Sequence, residues 1–133
     1  MIVGALLLAA QAPAAEPLWN CADPQVQQEM NHCAQQDFLA ADAELNAQWK
    51  TYAALMKRRD HDTDGASEDG RPGYFANLLA AQRAWLRYRD AHCTSEGDLF
   101  RGGSMEPLIV STCKARLTRQ RTAELRDLAQ AEG

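Results

Sequence analysis

At 133 residues, 46% of them hydrophobic, the chain is long enough for one domain with a modest core and too short for two. A formal net charge of −4 excludes a general nucleic-acid binder and draws the protein towards basic partners instead. Much of the apolar content is alanine, which suits close packing of helices.

The N-terminus has the form of an export signal. Ile2 to Ala10 is a short apolar run, and Ala12-Pro13-Ala14 follows it with the small-x-small pattern of a cleavage site. The run is too short to span a bilayer. No Lys or Arg precedes it, so the terminal amine is its sole positive charge. Residues 1–14 are therefore expected to be a signal peptide and 15–133 a single mature domain, periplasmic or secreted. Asn20 stands where a lipoprotein signal needs a small residue, so lipid attachment at Cys21 is not expected.

Four cysteines in a short exported chain imply two disulfides. Chain entropy does not choose among the three connectivities: short loops contribute about 3 kcal/mol each, long-range pairings about 4–5. Locality favours Cys21–Cys33 and Cys93–Cys113, because each joins a helix to its own flanking segment. A zinc site using His32 or His92 is disfavoured by the oxidising compartment and by the lack of a C-x-x-C pair.

The first helix is long. Met30, Cys33, Phe38, Ala41, Leu45, Trp49, Tyr52 and Met56 recur at steps of three to five, with no internal Gly or Pro. Asp23-Pro24 resembles a cap and first helical residue. That start would put Cys33 about 15 Å up the axis, out of reach of Cys21. The Cys21–Cys33 pairing therefore predicts that Ala22 to Gln25 fold back and that the helix begins near Val26 or Gln27. From Asp60 to Gly73 the pattern fails in an exposed acidic loop. A second helix is predicted from about Gly73 to His92, burying Trp85 and, with it, Tyr88. Thr94 to Glu106 reads as a connection containing Gly97, Gly102 and Gly103. Pro107 then suits the first turn of a third helix running to about Ala129, with Ile109, Cys113, Leu117, Leu125 and Leu128 as its stripe. No strand-like alternation occurs. The expected class is all-α, with three antiparallel helices of unequal length stapled by the two disulfides.

Few residues carry chemistry. Asp60-His61-Asp62-Thr63-Asp64-Gly65 opens like a calcium loop, but Arg71 stands at the twelfth position, where a bidentate glutamate is required, and Ser67 at the eighth. A solvated acidic loop is the simpler reading, with loose calcium binding the sharper one. Gly102-Gly103-Ser104 lacks a nucleophile frame and fits a helix entry, glycines supplying positive φ and the serine meeting free N–H groups. Asp42 on the first helix is expected to pair with Arg83, Arg89 or Arg121 and to fix helix register rather than do acid–base work. No catalytic residue, cofactor or resident metal is expected.

With these residues assembled, the chain resembles the lysozyme-inhibitor LprI-type N-terminal domain family. The resemblance rests on a cysteine ahead of Gln28-Glu29-Met30-Asn31-His32-Cys33-Ala34, and on Ala41-Asp42-Ala43-Glu44-Leu45-Asn46. It continues through Ala81-Gln82-Arg83-Ala84-Trp85-Leu86, Tyr88-Arg89-Asp90 and Cys93, then Gly102-Gly103-Ser104 ahead of Cys113, and Leu117-Thr118, Arg121 and Leu125. Val26 replaces the usual Thr or Ser cap, and Trp49 the usual tyrosine. The resemblance implies an exported α-helical domain whose characterised relatives inhibit lysozyme. On physical grounds, an acidic protein-binding domain of this kind is expected to act on a lysozyme-type muramidase by occupying its cleft, without chemistry. No inhibitory position is carried over with it. Asp60, Asp62, Asp64, Glu68 and Asp69 are the candidate contacts with lysozyme or another envelope protein, since acids steer an inhibitor to a basic enzyme. A structural or stress-related envelope component, with calcium held loosely by loop 60–69, is the alternative reading.

Overall fold

A computed structural model describes residues 19–63 and 69–132, together with Ala10 and Ala12. The export segment predicted at 1–14 lies almost wholly outside the described residues. Three α-helices carry the fold: α1 (Gln27–Asp62), α2 (Tyr74–Gly97) and α3 (Glu106–Glu132), with a single 3₁₀ turn at Asp98–Phe100. No strand occurs among the described residues. Consecutive helices are antiparallel, so α1 and α3 run parallel and share the largest interface. At about 1.5 Å per residue, α1 is roughly 54 Å long and is the mast on which the other two pack.

The entry to α1 follows from its staple. Asn20 turns the chain, its carbonyl accepting from Asp23 N–H and its side chain from Ala22 N–H. That turn returns Cys21 to Cys33, with Cα atoms 5.3 Å apart. Helix geometry then starts at Gln27, after an uncapped Val26. The Glu29 carboxylate compensates by accepting the N–H of Gln25.

The second helix continues five residues beyond its predicted end. Cys93 and Thr94 do not break it, and the Thr94 hydroxyl folds back onto the Asp90 carbonyl. Gly97 ends it where the backbone meets α3: a Cβ there would lie 2.5 Å from Val110 Cγ2. The Cys93–Cys113 disulfide, fully buried one turn earlier, locks the same contact. In the connection that follows, only Gly102 takes positive φ; Gly103 does not. The Glu106 carboxylate, rather than Ser104, accepts a free N–H there, that of Gly102 at 2.6 Å.

The core is Leu45, Tyr52, Ala53, Met56, Leu78 and Leu125, with Trp49, Phe75 and Trp85 packed at its margin. Two residues expected in the core are exposed instead. Tyr88 is 57% exposed and stacks on His92, and Leu128 is 45% exposed. On α3 the buried positions between Cys113 and Leu125 are instead Ala115, Thr118 and Thr122. The Thr122 hydroxyl returns to the Thr118 carbonyl, so its burial leaves no orphan donor.

A buried polar group ties all three helices together. Arg89 on α2 is 7% exposed, and its guanidinium reaches Asp42 of α1 at 3.5 Å and the Thr118 hydroxyl of α3 at 3.3 Å. It also binds Asp90 at 3.0 Å and lies over the rings of Phe38 and Trp85. Of the three arginines considered for Asp42, this one meets it. Arg121 instead binds Gln82 and Glu124, while Arg83 is exposed and makes no ion pair with a described residue.

Nearer the surface, Asp37 and Arg119 form a two-pronged bridge from α1 to α3 at 2.7 and 2.9 Å, and Glu96 binds Arg116 at 2.7 Å between α2 and α3. The Arg119 hydrogen bonds hold the Asp37 carboxyl below its usual range. At Glu96 partial burial pushes upward, but Arg116 and then His92 outweigh it and leave that carboxyl lowered as well.

Two outcomes follow from these bonds. Replacing Arg89 by Ala should cost about 2–3 kcal/mol in urea denaturation, through the emptied space between two rings and the unpaired Thr118 hydroxyl. Arg89→Lys should recover only part, for want of the planar fork. An Arg89→Ala variant as stable as the parent would show that the guanidinium is not the tie. Both lowered carboxyls contribute stability that is complete above about pH 5 and lost as pH falls below about 4 through their folded-state values. Melting temperature should therefore drop over that window, and Asp37→Asn should make the drop shallower. Because both partners of that bridge are half-exposed, the effect should be below about 1 kcal/mol.

Candidate functional site

The acidic residues proposed as partner contacts do not behave as one surface. Asp60 sits in the last turn of α1, and its two carboxylate oxygens accept the N–H groups of Tyr74 and Phe75 at 2.7 and 3.1 Å. It thus caps α2 from the end of α1, and Gly73 makes room for it: a Cβ there would stand 2.8 Å from the carboxylate. Asp62 is exposed beside His61, and Asp69 is bonded to Arg71. Asp64 and Glu68 lie outside the described residues. Both oxygens of the first carboxylate in the calcium-like pattern are therefore already engaged with backbone.

Among the described residues the histidines supply no metal centre. His92, Glu96 and Cys113 approach one another, but the Cys113 sulfur is in a disulfide and cannot act as a thiolate ligand. His92 and Arg116 share the Glu96 carboxylate. Ser104 contributes its carbonyl, which accepts from the Asn31 side chain at 2.9 Å, and so ties the α2–α3 connection to the first helix.

That connection holds a feature that sequence reading passed over. Leu99 is 80% exposed, and Phe100 and Met105 are exposed beside it. The segment that carries them is braced throughout. Arg101 N–H bonds the Asp98 carbonyl, and Gly103 N–H the Phe100 carbonyl. The Arg101 guanidinium holds the Asp98 carboxylate at 2.7 Å, which keeps that acid below its usual range. Cys93–Cys113 clamps the base. The available sequence signal was the apolar pair Leu99-Phe100 in a connection otherwise made of Gly and charged residues. Such residues normally anchor a turn to the core; here they project from it.

The molecule is thus a disulfide-stapled helical bundle that presents a fixed apolar tip at one end. Two disulfides mark a chain that matures in an oxidising compartment, and no described helix is long and apolar enough to cross a membrane. A profile of the family described as lysozyme inhibitor LprI matches residues 20–125, and the chain belongs to that family. It is 44% identical over 128 residues to an uncharacterized protein of Rhizobium meliloti, an alignment that covers 95% of this chain and 91% of that one. No solved structure matches.

The cap assignment separates two acids that sequence alone treats as equivalent. Asp60→Ala should lower stability by about 1 kcal/mol through the lost cap, whereas Asp62→Ala should change it little. Equal effects of the two substitutions in denaturant titrations would overturn the assignment.

Proposed function

We propose that the mature chain is exported to the periplasm or beyond and inhibits a lysozyme-type muramidase by occupying its cleft. Membership of an inhibitor family supports the class of function. The single observation that supports a mode of action is Leu99, with Phe100 and Met105, standing exposed on a segment whose backbone is already fixed. Large apolar side chains displayed on a rigid support lose little freedom on docking, which is the condition for tight binding by a small surface. Inhibition then needs no chemistry, because an occupied cleft admits no glycan. The acids Asp62, Asp64, Glu68 and Asp69 are left for steering: with a net charge of −4 they favour approach to a basic enzyme.

Lysis of a peptidoglycan suspension by several lysozyme types, with oxidised mature protein titrated in, tests this. Dose-dependent inhibition is expected, weakening with added salt. Leu99→Ser should raise the inhibition constant at least about tenfold without changing the melting temperature, as for an anchor at the centre of an interface. Absence of inhibition at high micromolar protein, with helicity confirmed by circular dichroism, would remove the muramidase. Inhibition unchanged by Leu99→Ser and by Phe100→Ala would remove the tip.

A further inference from the structure

Beside the tip, the N-terminal parts of α1 and α3, with Trp19, line an open groove of about 580 Å³. We infer that this groove binds a short oligosaccharide of hexopyranose units. Its lining carries the argument, and it goes beyond the inhibitor reading without depending on it.

Two kinds of surface meet in the groove. Trp19 and His32 meet in a T-shaped contact, ring centroids 4.4 Å apart. Phe38, whose ring is already met by the Arg89 and Lys114 cations, lies further along the same helical face and leaves Trp19 as the stacking platform. Between these rings Gln28 and Gln35 project from α1, and Ser111 faces them from α3. The side chains of His32, Gln28, Gln35 and Ser111 hydrogen-bond to no described residue, so each offers its full capacity to a ligand. A pyranose ring matches this pairing. Its C–H face is apolar and covers an aromatic ring, while its rim of hydroxyls needs groups that both donate and accept. Gln28 and Gln35 are two turns apart, on the order of 10 Å along the axis, which suits a few sugar units. The volume falls within the ordinary range for small-ligand sites. Lys114 closes one end; its ammonium lies over the Phe38 ring and 3.8 Å from the half-exposed Asp90 carboxylate, with which a sugar carboxylate would compete for it.

The groove also accounts for the position of the first disulfide. Cys21–Cys33 does not brace the core, since Cys21 is exposed at the chain's entry to the bundle. What it does is fix the backbone two residues from Trp19 and next to His32, and so it holds one aromatic wall against the other.

The test is titration of the oxidised protein with N-acetylglucosamine trimer and, separately, with a galacturonate trimer, followed by nuclear magnetic resonance. Saturable shifts are expected at the Trp19 indole, the His32 ring and the side-chain amides of Gln28 and Gln35, with either sugar or both. Preference for the galacturonate would place its carboxylate at Lys114; equal binding would assign recognition to the rings and amides. Trp19→Ala and, independently, Gln35→Ala should each weaken binding at least tenfold with the melting temperature unchanged. Tyr88→Ala, an exposed ring outside the groove, should leave binding intact. No saturable shift with either sugar at millimolar concentration, or shifts located away from these residues, would overturn the inference. Because Leu99→Ser leaves this groove untouched, failure here and failure of the inhibitor reading are distinguishable.

Discussion

A single guanidinium decides how the three helices meet. Arg89 is presented by α2, accepted by Asp42 of α1 and by the Thr118 hydroxyl of α3, and roofed by the rings of Phe38 and Trp85. A purely apolar seam would tolerate sliding by a turn at modest cost, because leucine and alanine contacts are interchangeable. A buried cation does not tolerate it, because a slip of one turn would leave the charge among apolar groups. The small buried residues of α3, Ala115, Thr118 and Thr122, let the mast helix approach closely on either side of this tie.

The two disulfides act on different problems. Cys93–Cys113 is buried and joins α2 to α3 close to Gly97, so it reinforces a contact that packing already makes tight. Cys21–Cys33 is peripheral and reinforces no core contact; it imposes order on a segment that would otherwise have little to hold it. At the opposite end, the turn between α1 and α2 is held without a crosslink, by the Asp60 carboxylate spanning from one helix end to the next. Covalent constraint is therefore concentrated at the end that carries the tip and the groove.

Periodicity was enough to read the helices, locality pointed to the two staples, and the reach of the first staple then set the start of α1. The fold-back of Ala22 to Gln25 followed from the reach of Cys21 alone. What escaped reading had identifiable causes. The extension of α2 to Gly97 was hidden because a cysteine and a threonine look like an ending, although neither breaks a helix. Tyr88 shares an apolar spacing with Trp85 but falls on the flank occupied by His92. Arg89 could not be told from Arg83 or Arg121, since spacing shows the face of a helix and not the depth of a side chain. The exposed Leu99 was illegible for the converse reason: composition records that a residue is apolar, while only the packing records that nothing covers it. Asp60 was visible as an acid, but its role as a cap depends on α2 starting fourteen residues later beside it.

The parallel course of α1 and α3 has an electrostatic side. Each helix carries a partial positive charge at its N-terminus and a partial negative one at its C-terminus. With α2 reversed, the end that holds the tip gathers two positive termini, at Gln27 and Glu106, against one negative terminus at Gly97. Glu29 and Glu106, in the first turns of α1 and α3, temper that excess. The side-chain charges are uneven along the axis: at the tip end Asp23, Glu29, Glu96, Asp98 and Glu106 outnumber Arg101, Lys114 and Arg116, whereas at the α1–α2 turn Lys57, Arg58, Arg59 and Arg71 offset the described acids Asp60, Asp62 and Asp69. An approaching basic protein would feel a torque before it felt a contact, and the two ends of this bundle would respond differently to salt.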